Sequence, residues 1–221
     1  MKIVIAGAGS VGRSIAKELL LKDHEVTLID RQPEQMRVAA VAQADWVLAD
    51  ACSPDALSEA GGAECDVMVA ATGDDKANLV ISLLAKTEFG VPRVVARVNN
   101  PKNEWMFDSA WGVDVPVSTP RVMTALVEEA VSVGALVRLF DFHEAGASIY
   151  AITLPAYSKV AGRAIGDLKL PGDAQILSVL RDDAPLIAGH DVELEPGDEL
   201  VLMLASSAES LRSDVESIVG E

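Results

Sequence analysis

Gly7, Gly9 and Gly12 stand at the spacing G-x-G-x-x-G, and Asp30 follows Gly12 by 18 residues (30 − 12). Residues of these types at this spacing can hold a nucleotide. The first glycine permits a tight turn, the second lets the backbone approach a pyrophosphate, and the third lets a helix pack closely on a strand. Backbone amides near Ser10 and Val11 then face phosphates along the dipole of the helix that follows. Asp30 can accept hydrogen bonds from ribose hydroxyls. Its charge repels a 2′-phosphate, which favours NAD over NADP, while Arg31 beside it works against that preference. The same residues can also be read as a plain glycine turn and an ordinary turn aspartate. A strand before the motif, a helix after it and an acid closing the next strand favour the nucleotide.

Further candidates fall where expected strands end, the side on which open α/β sheets bind ligands. Asp50 and Ala51 follow the third strand and either border an adenine or form a helix-capping loop; Cys52 comes next. Thr72 and Gly73 follow the fourth strand and would lie near the distal half of a dinucleotide. Asp74, Asp75 and Asn78 beyond them read as helix caps rather than ligands. Arg97 ends the fifth strand, where it faces phosphates or forms an ion pair. His24, His143 and His190 are scattered and match no metal or catalytic pattern. Cys52 and Cys65 are too few for a disulfide framework, match no zinc spacing, and are expected to be buried rather than reactive. A small NAD-dependent oxidoreductase is the alternative function. It would need a proton-transfer group beside the nicotinamide. No Tyr-x-x-x-Lys pair stands in the chain, so no catalytic residue and no metal ligand is assigned.

The elements that must position these groups are legible as alternating periods. Strands are expected at residues 2–6, 25–29, 45–49, 66–71, 93–98 and 113–117. Helices are expected over 10–22, from Pro54, and over 74–88, 102–111 and 121–135, the last two after Asn100-Pro101 and Thr119-Pro120. Alternating strands and helices imply a parallel sheet. After about Leu136 the pattern turns to strands at 137–142, 149–154, 176–180 and 199–204. Pro196-Gly197-Asp198 is a turn, and Ser206-x-x-Glu209 a capping box for a last helix. The expected fold is a Rossmann-like doubly wound parallel sheet over residues 1–135, followed by a smaller α+β domain over 136–221.

Composition narrows the function. The 221 residues are 50% hydrophobic and carry 18 Lys and Arg against 34 Asp and Glu, a net charge of −16. Such a chain can bury a core, and it lacks the basic stripe that nucleic acid would need. Neither a signal peptide nor a run of about 20 apolar residues is seen, so the expectation is a soluble, cytoplasmic chain.

With these residues in place, the chain resembles the family of RCK domains, the regulators of potassium conductance, in its TrkA branch. The likeness rests on GAGSVG at 7–12, LIDRQPE at 28–34, ADACSPDALSEAG at 49–61, DVMVAATGDDKANLVISLLAK at 66–86, ARVNNPKNEWMF at 96–107 and PGDELVLM at 196–203. It implies a regulatory subunit at the inner face of the membrane, bound there through a separate, TrkH-like potassium-conducting subunit. It implies NAD(H), alternatively ATP or ADP, held by residues 7–12, Asp30, Arg31, Asp50, Ala51, Thr72, Gly73 and Arg97. It also implies self-association into dimers or a gating ring, possibly with a paralogue, since the chain has one glycine motif where some relatives have two tandem units. Trp105, Met106, Phe107 and Trp111 would then be an interface, or else ordinary core. Arg121 follows Pro120, where some single-lobe relatives place a cation-binding glutamate.

Overall fold

A computed structural model describes residues 1–142, 145–182, 184–205 and 209–219. The chain divides into two compact units, Met1–Pro120 and Arg121–Glu221.

In the first unit, six strands form one parallel sheet: β1 (Lys2–Ala6), β2 (Glu25–Asp30), β3 (Asp45–Leu48), β4 (Val67–Ala70), β5 (Arg93–Val98) and β6 (Val115–Ser118). Their order is β3-β2-β1-β4-β5-β6, so the winding reverses between β1 and β4. Such a reversal opens a crevice beyond the carboxyl ends of the strands. The register levels those ends: Ala6 pairs with Ile29 and with Ala70, and Ala70 pairs with Ala96. Gly7, Asp30, Ala71 and Arg97 therefore all emerge at one rim.

Helix α1 (Ser10–Leu20) covers one face of the sheet, over Ile3, Ile5, Val26, Leu28 and Val69. Helices α2 (Pro54–Glu59) and α3 (Asp75–Thr87) belong with the other face, where Leu57, Leu79 and Ile81 join Val4, Met68, Val94 and Ala96. Strands buried on both faces read as unbroken apolar runs, which explains why β1 and β4 were legible.

The expected helix over 102–111 is corrected. It is two 3₁₀ segments, Pro101–Met106 and Ser109–Trp111. Two capping signals compete within ten residues. Asn100 accepts from the Lys102 amide, and Asp108 accepts from those of Ala110 and Trp111, so each cap restarts the chain after one or two turns. The 3₁₀ turns Pro33–Gln35 and Val38–Ala40, after β2, carry no periodic signal and were not expected.

The second unit holds most of α4 (Thr119–Val131), which starts at the expected cap but ends sooner than residue 135; Gly134 follows at φ +85°. Strands β7 (Val137–Phe142), β8 (Ala147–Thr153), β9 (Ala174–Arg181), β10 (Ala184–Ile187) and β11 (Glu199–Leu204) form an antiparallel sheet in the order β10-β9-β11-β8-β7. Strand β10 was missed, because Ala-Pro-Leu-Ile is short and contains proline, which suits an edge. Helix α5 (Glu209–Val219) buries Leu211, Val215 and Val219 against Leu200, Leu202 and Leu204. Its expected capping serine, Ser206, lies outside the described residues, as does His143. The Pro196-Gly197-Asp198 turn is pinned by Asp198, 1% exposed, which takes two charge-assisted hydrogen bonds from Arg181 at 2.7 and 2.8 Å.

Candidate functional site

A cleft of about 370 Å³ lies at the rim where the winding reverses. Volumes of roughly 300–1,000 Å³ are usual for ligand sites. Gly7, Gly9, Ser10 and Val11 form one wall; Asp30, Arg31, Asp50 and Ala51 form a second; Thr72, Gly73 and Arg97 form a third. Two expected residues, Ala8 and Gly12, stand behind the wall. Ala8 is fully buried and donates its amide to Asp30 Oδ2 at 2.7 Å. A Cβ on Gly12 would sit 1.8 Å from the Gly7 carbonyl oxygen, so this glycine is what lets α1 approach the turn. Gly7 itself has φ +108°, with the Ala71–Thr72 backbone that follows β4 against it.

The turn leaves its amides available. Gly9 caps α1 without a side-chain hydrogen bond, and the first turn carries no acid. Helix α3 is closed in the opposite way, with Asp74 accepting from the Lys76 amide and Asp75 in its first turn. The uncapped helix start thus falls at the cleft, where an anion can satisfy its free N–H groups. A Cβ on Gly9 would meet nothing within 4 Å, so the space it faces is the cleft itself.

Asp30 is held from both sides, its Oδ1 accepting from the Gln32 amide at 2.9 Å while Oδ2 takes Ala8. Each oxygen keeps a lone pair, which suffices for ribose hydroxyls. Arg31 faces Asp50 at 3.7 Å, a solvent-exposed pair of little energetic weight. Arg97 differs: its Nε is buried and has no hydrogen-bond partner. A buried donor left unpaired costs roughly 1–3 kcal/mol. An anionic group in the cleft would remove that cost, so the residues present fit a nucleotide.

Several lining residues escaped the sequence. Gln32 and Gln35 enter with the turn after β2, and Ala77 and Ile81 enter one helical turn apart on α3. The signal for the glutamines was their nearness to Asp30; for Ala77 and Ile81 it was the i, i+4 spacing. Arg13 was also missed: its guanidinium donates to the Ala8 carbonyl and to Gln35 Oε1, bracing the glycine turn. Cys52 lines the cleft, and burial together with nearby Asp50 raises its thiol pKa. Cys65 lies elsewhere, in the core, where burial pushes it up to about 11.

The fold and cleft define a doubly wound α/β unit with a glycine turn and an acid at its reversal point, joined to a small antiparallel unit. The TrkA-N domain description matches residues 3–119, and the TrkA-C domain description matches 149–213. The Trk system potassium uptake protein TrkA of Mycobacterium tuberculosis is 51% identical over 209 residues, 95% of each chain. The TrkA homolog of Methanothermobacter thermautotrophicus is 31% identical over 210 residues, 94% of this chain and 95% of that one. This chain belongs to the TrkA family. Among solved structures, the GsuK channel bound to NAD superposes with TM-score 0.69 at 17% identity, over all of this chain and 39% of that one. GsuK bound to ADP gives 0.52 at 28% identity, over 58% of this chain and 33% of that one. The chain thus spans less than half of these channel proteins.

Proposed function

We propose that this chain is an NAD(H)-binding regulatory subunit of a Trk-type potassium uptake system. It acts at the inner face of the membrane on a separate, TrkH-like conducting subunit, with ATP or ADP as alternative occupants of the same cleft. Nucleotide binding belongs to residues 1–135 and the second regulatory domain to 136–221. One observation carries this reading: the uncapped start of α1 and the unpartnered Arg97 Nε line the same cleft as Asp30. That is an anion site beside a ribose acceptor. The amides of Ser10 and Val11 would hold the pyrophosphate and Asp30 the adenosine ribose. Asp50 and Ala51 would border the adenine, Arg97 would face the phosphates, and Thr72 and Gly73 would lie beside them toward the distal half. The GsuK structures with NAD and with ADP support an adenine nucleotide.

Regulation follows from linkage. A nucleotide shifts an equilibrium between two arrangements of a ring only through its unequal affinity for them, and such couplings are typically about 1–3 kcal/mol. Self-association is part of this reading. Of the four residues expected at an interface, Phe107 is core and Met106 packs on it, while Trp105 is 77% exposed and Trp111 partly so. Helix α4 adds a larger apolar surface, with Val122, Met123, Leu126, Val127 and Val131 all exposed.

Calorimetry with NAD, NADH, ATP, ADP and NADP tests the site. NADP should bind at least about 10-fold more weakly than NAD, or about 1.4 kcal/mol, because its 2′-phosphate would meet Asp30. Gly9→Leu should abolish binding together with nucleotide-dependent potassium flux in vesicles holding the conducting subunit. Flux regulation that survives the loss of binding overturns the regulatory reading. Steady NADH oxidation with a small carbonyl substrate would restore the oxidoreductase.

A further inference from the structure

Asn78 is fully buried, and all four hydrogen-bonding positions of its amide are used. Its Oδ1 accepts from the Thr72 amide at 2.9 Å and from the Thr72 hydroxyl at 2.6 Å. Its Nδ2 donates to the Thr72 carbonyl at 3.2 Å and to the Arg97 carbonyl at 2.8 Å. The amide orientation is fixed, since one side faces an obligate donor and the other two carbonyls. A helix position buried among Leu79, Ile81 and Ala85 would ordinarily take an apolar side chain. Here an amide stands instead, and every bond it makes ends on one of two cleft residues.

We propose that Asn78 is a positioning residue for the phosphate end of the cleft, holding Thr72 and, through its carbonyl, Arg97 where the ligand's phosphates lie. The assignment rests on the cleft being the nucleotide site. Asn78 ties the ends of β4 and β5 together, and those two strands carry the third wall. With the Arg97 backbone clamped, the guanidinium of this cleft-lining residue has a fixed origin, and its Nε is left a buried donor with no partner. An aspartate cannot donate to the two carbonyls, and a leucine would leave the Thr72 amide without its acceptor.

The test compares ADP, which carries phosphates, with adenosine, which does not. Asn78→Asp should weaken ADP binding about 10-fold or more and leave adenosine within about two-fold. Arg97→Ala should show the same split, and the double variant should lose no more than Arg97→Ala alone, because one residue acts through the other. Equal losses for both ligands, or losses that add, overturn the assignment and leave Asn78 a structural tie. Asn78→Ala, which admits water to the same place, serves if the aspartate does not fold. Should neither fold, the side-chain amide signal of Asn78 in the wild-type protein decides. It should move when ADP binds and stay when adenosine binds; a signal that stays with both overturns the proposal. A wild-type chain that binds neither ADP nor NAD overturns the nucleotide cleft itself, whereas wild-type binding with unaffected variants overturns only the role of Asn78.

Discussion

Gly9 and Gly12, three residues apart, carry opposite consequences. Gly12 has no room: its Cβ would lie 1.8 Å from the Gly7 carbonyl oxygen. Gly12→Ala should therefore cost about 3 kcal/mol or more of stability, read from denaturant melts. Gly9 has an ordinary backbone conformation and open space before it, so Gly9→Val should melt like the wild type yet bind nucleotide poorly. A Gly9 variant that melts early would show that the turn needs this glycine for folding. The two cysteines separate in the same manner. Cys65, buried and pushed up to about 11, should resist maleimide at neutral pH, because so little thiolate forms there. Cys52 lines the cleft and should react faster, and saturating NAD or ADP should slow it several-fold. No protection by either ligand would remove Cys52 from the occupied part of the cleft.

At the scale of elements, the start of α3 holds more than its own helix. Asp75 accepts from the amides of Asn99 and Asn100 and from the side chains of Asn99 and Asn103, at 2.6 to 3.0 Å. These four bonds anchor the chain leaving β5 and draw Pro101–Met106 against α3. Burial opposes ionisation of Asp75, but hydrogen bonds from Asn99, Asn103 and Asn100 outweigh it and hold the carboxyl below its usual range. A carboxyl lowered in this way stabilises the fold above its unfolded value, near 3.9, and loses that contribution as pH falls through the folded one. Asp198 in the second unit, where the bonds from Arg181 and Glu195 outweigh burial, has the same sign. Melting temperature should therefore fall as pH drops below about 4. Asp75→Asn should be less stable at pH 7, by about 1–3 kcal/mol, and show a flatter acid limb. An acid limb unchanged from the wild type would mean that Asp75 does not supply it.

For the whole molecule, the two units have separate cores and different sheet chemistry, one parallel and covered by helices on both faces, one antiparallel with α5 packed on it. Helix α4 stands at their boundary in sequence. Its apolar residues recur four apart, Val122 with Leu126 and Met123 with Val127 and Val131, and all are exposed. A stripe of this extent on a chain of net charge −16 suits burial against another subunit. Light scattering should find a dimer or larger at micromolar concentration. Leu126→Glu combined with Val127→Glu should shift it toward the 23.3 kDa monomer. A wild-type protein that scatters as a monomer would remove the ring from the proposed function.

The sequence by itself determined the parallel sheet, because its strands are apolar runs between helical periods and such periods follow from backbone geometry alone. It also determined the glycine turn and Asp30, since a tight turn and a close helix approach admit no other residue at Gly7 and Gly12. The 3₁₀ breaks between Pro101 and Trp111 were hidden, because Asn100, Asp108 and Asp75 act there through hydrogen bonds whose partners are local competitors or distant in sequence. The exposure of Val122, Met123, Leu126, Val127 and Val131 on α4 was likewise hidden, because helical spacing alone does not say what a face packs against. Asn78 and Arg97 make the sharpest case. They stand 19 residues apart, and only the packing of α3 against β5 brings the Asn78 amide onto the Arg97 carbonyl. Local periodicity is written into neighbouring residues, whereas a hydrogen bond from a buried helix side chain to the end of a strand exists only once helix and sheet have packed.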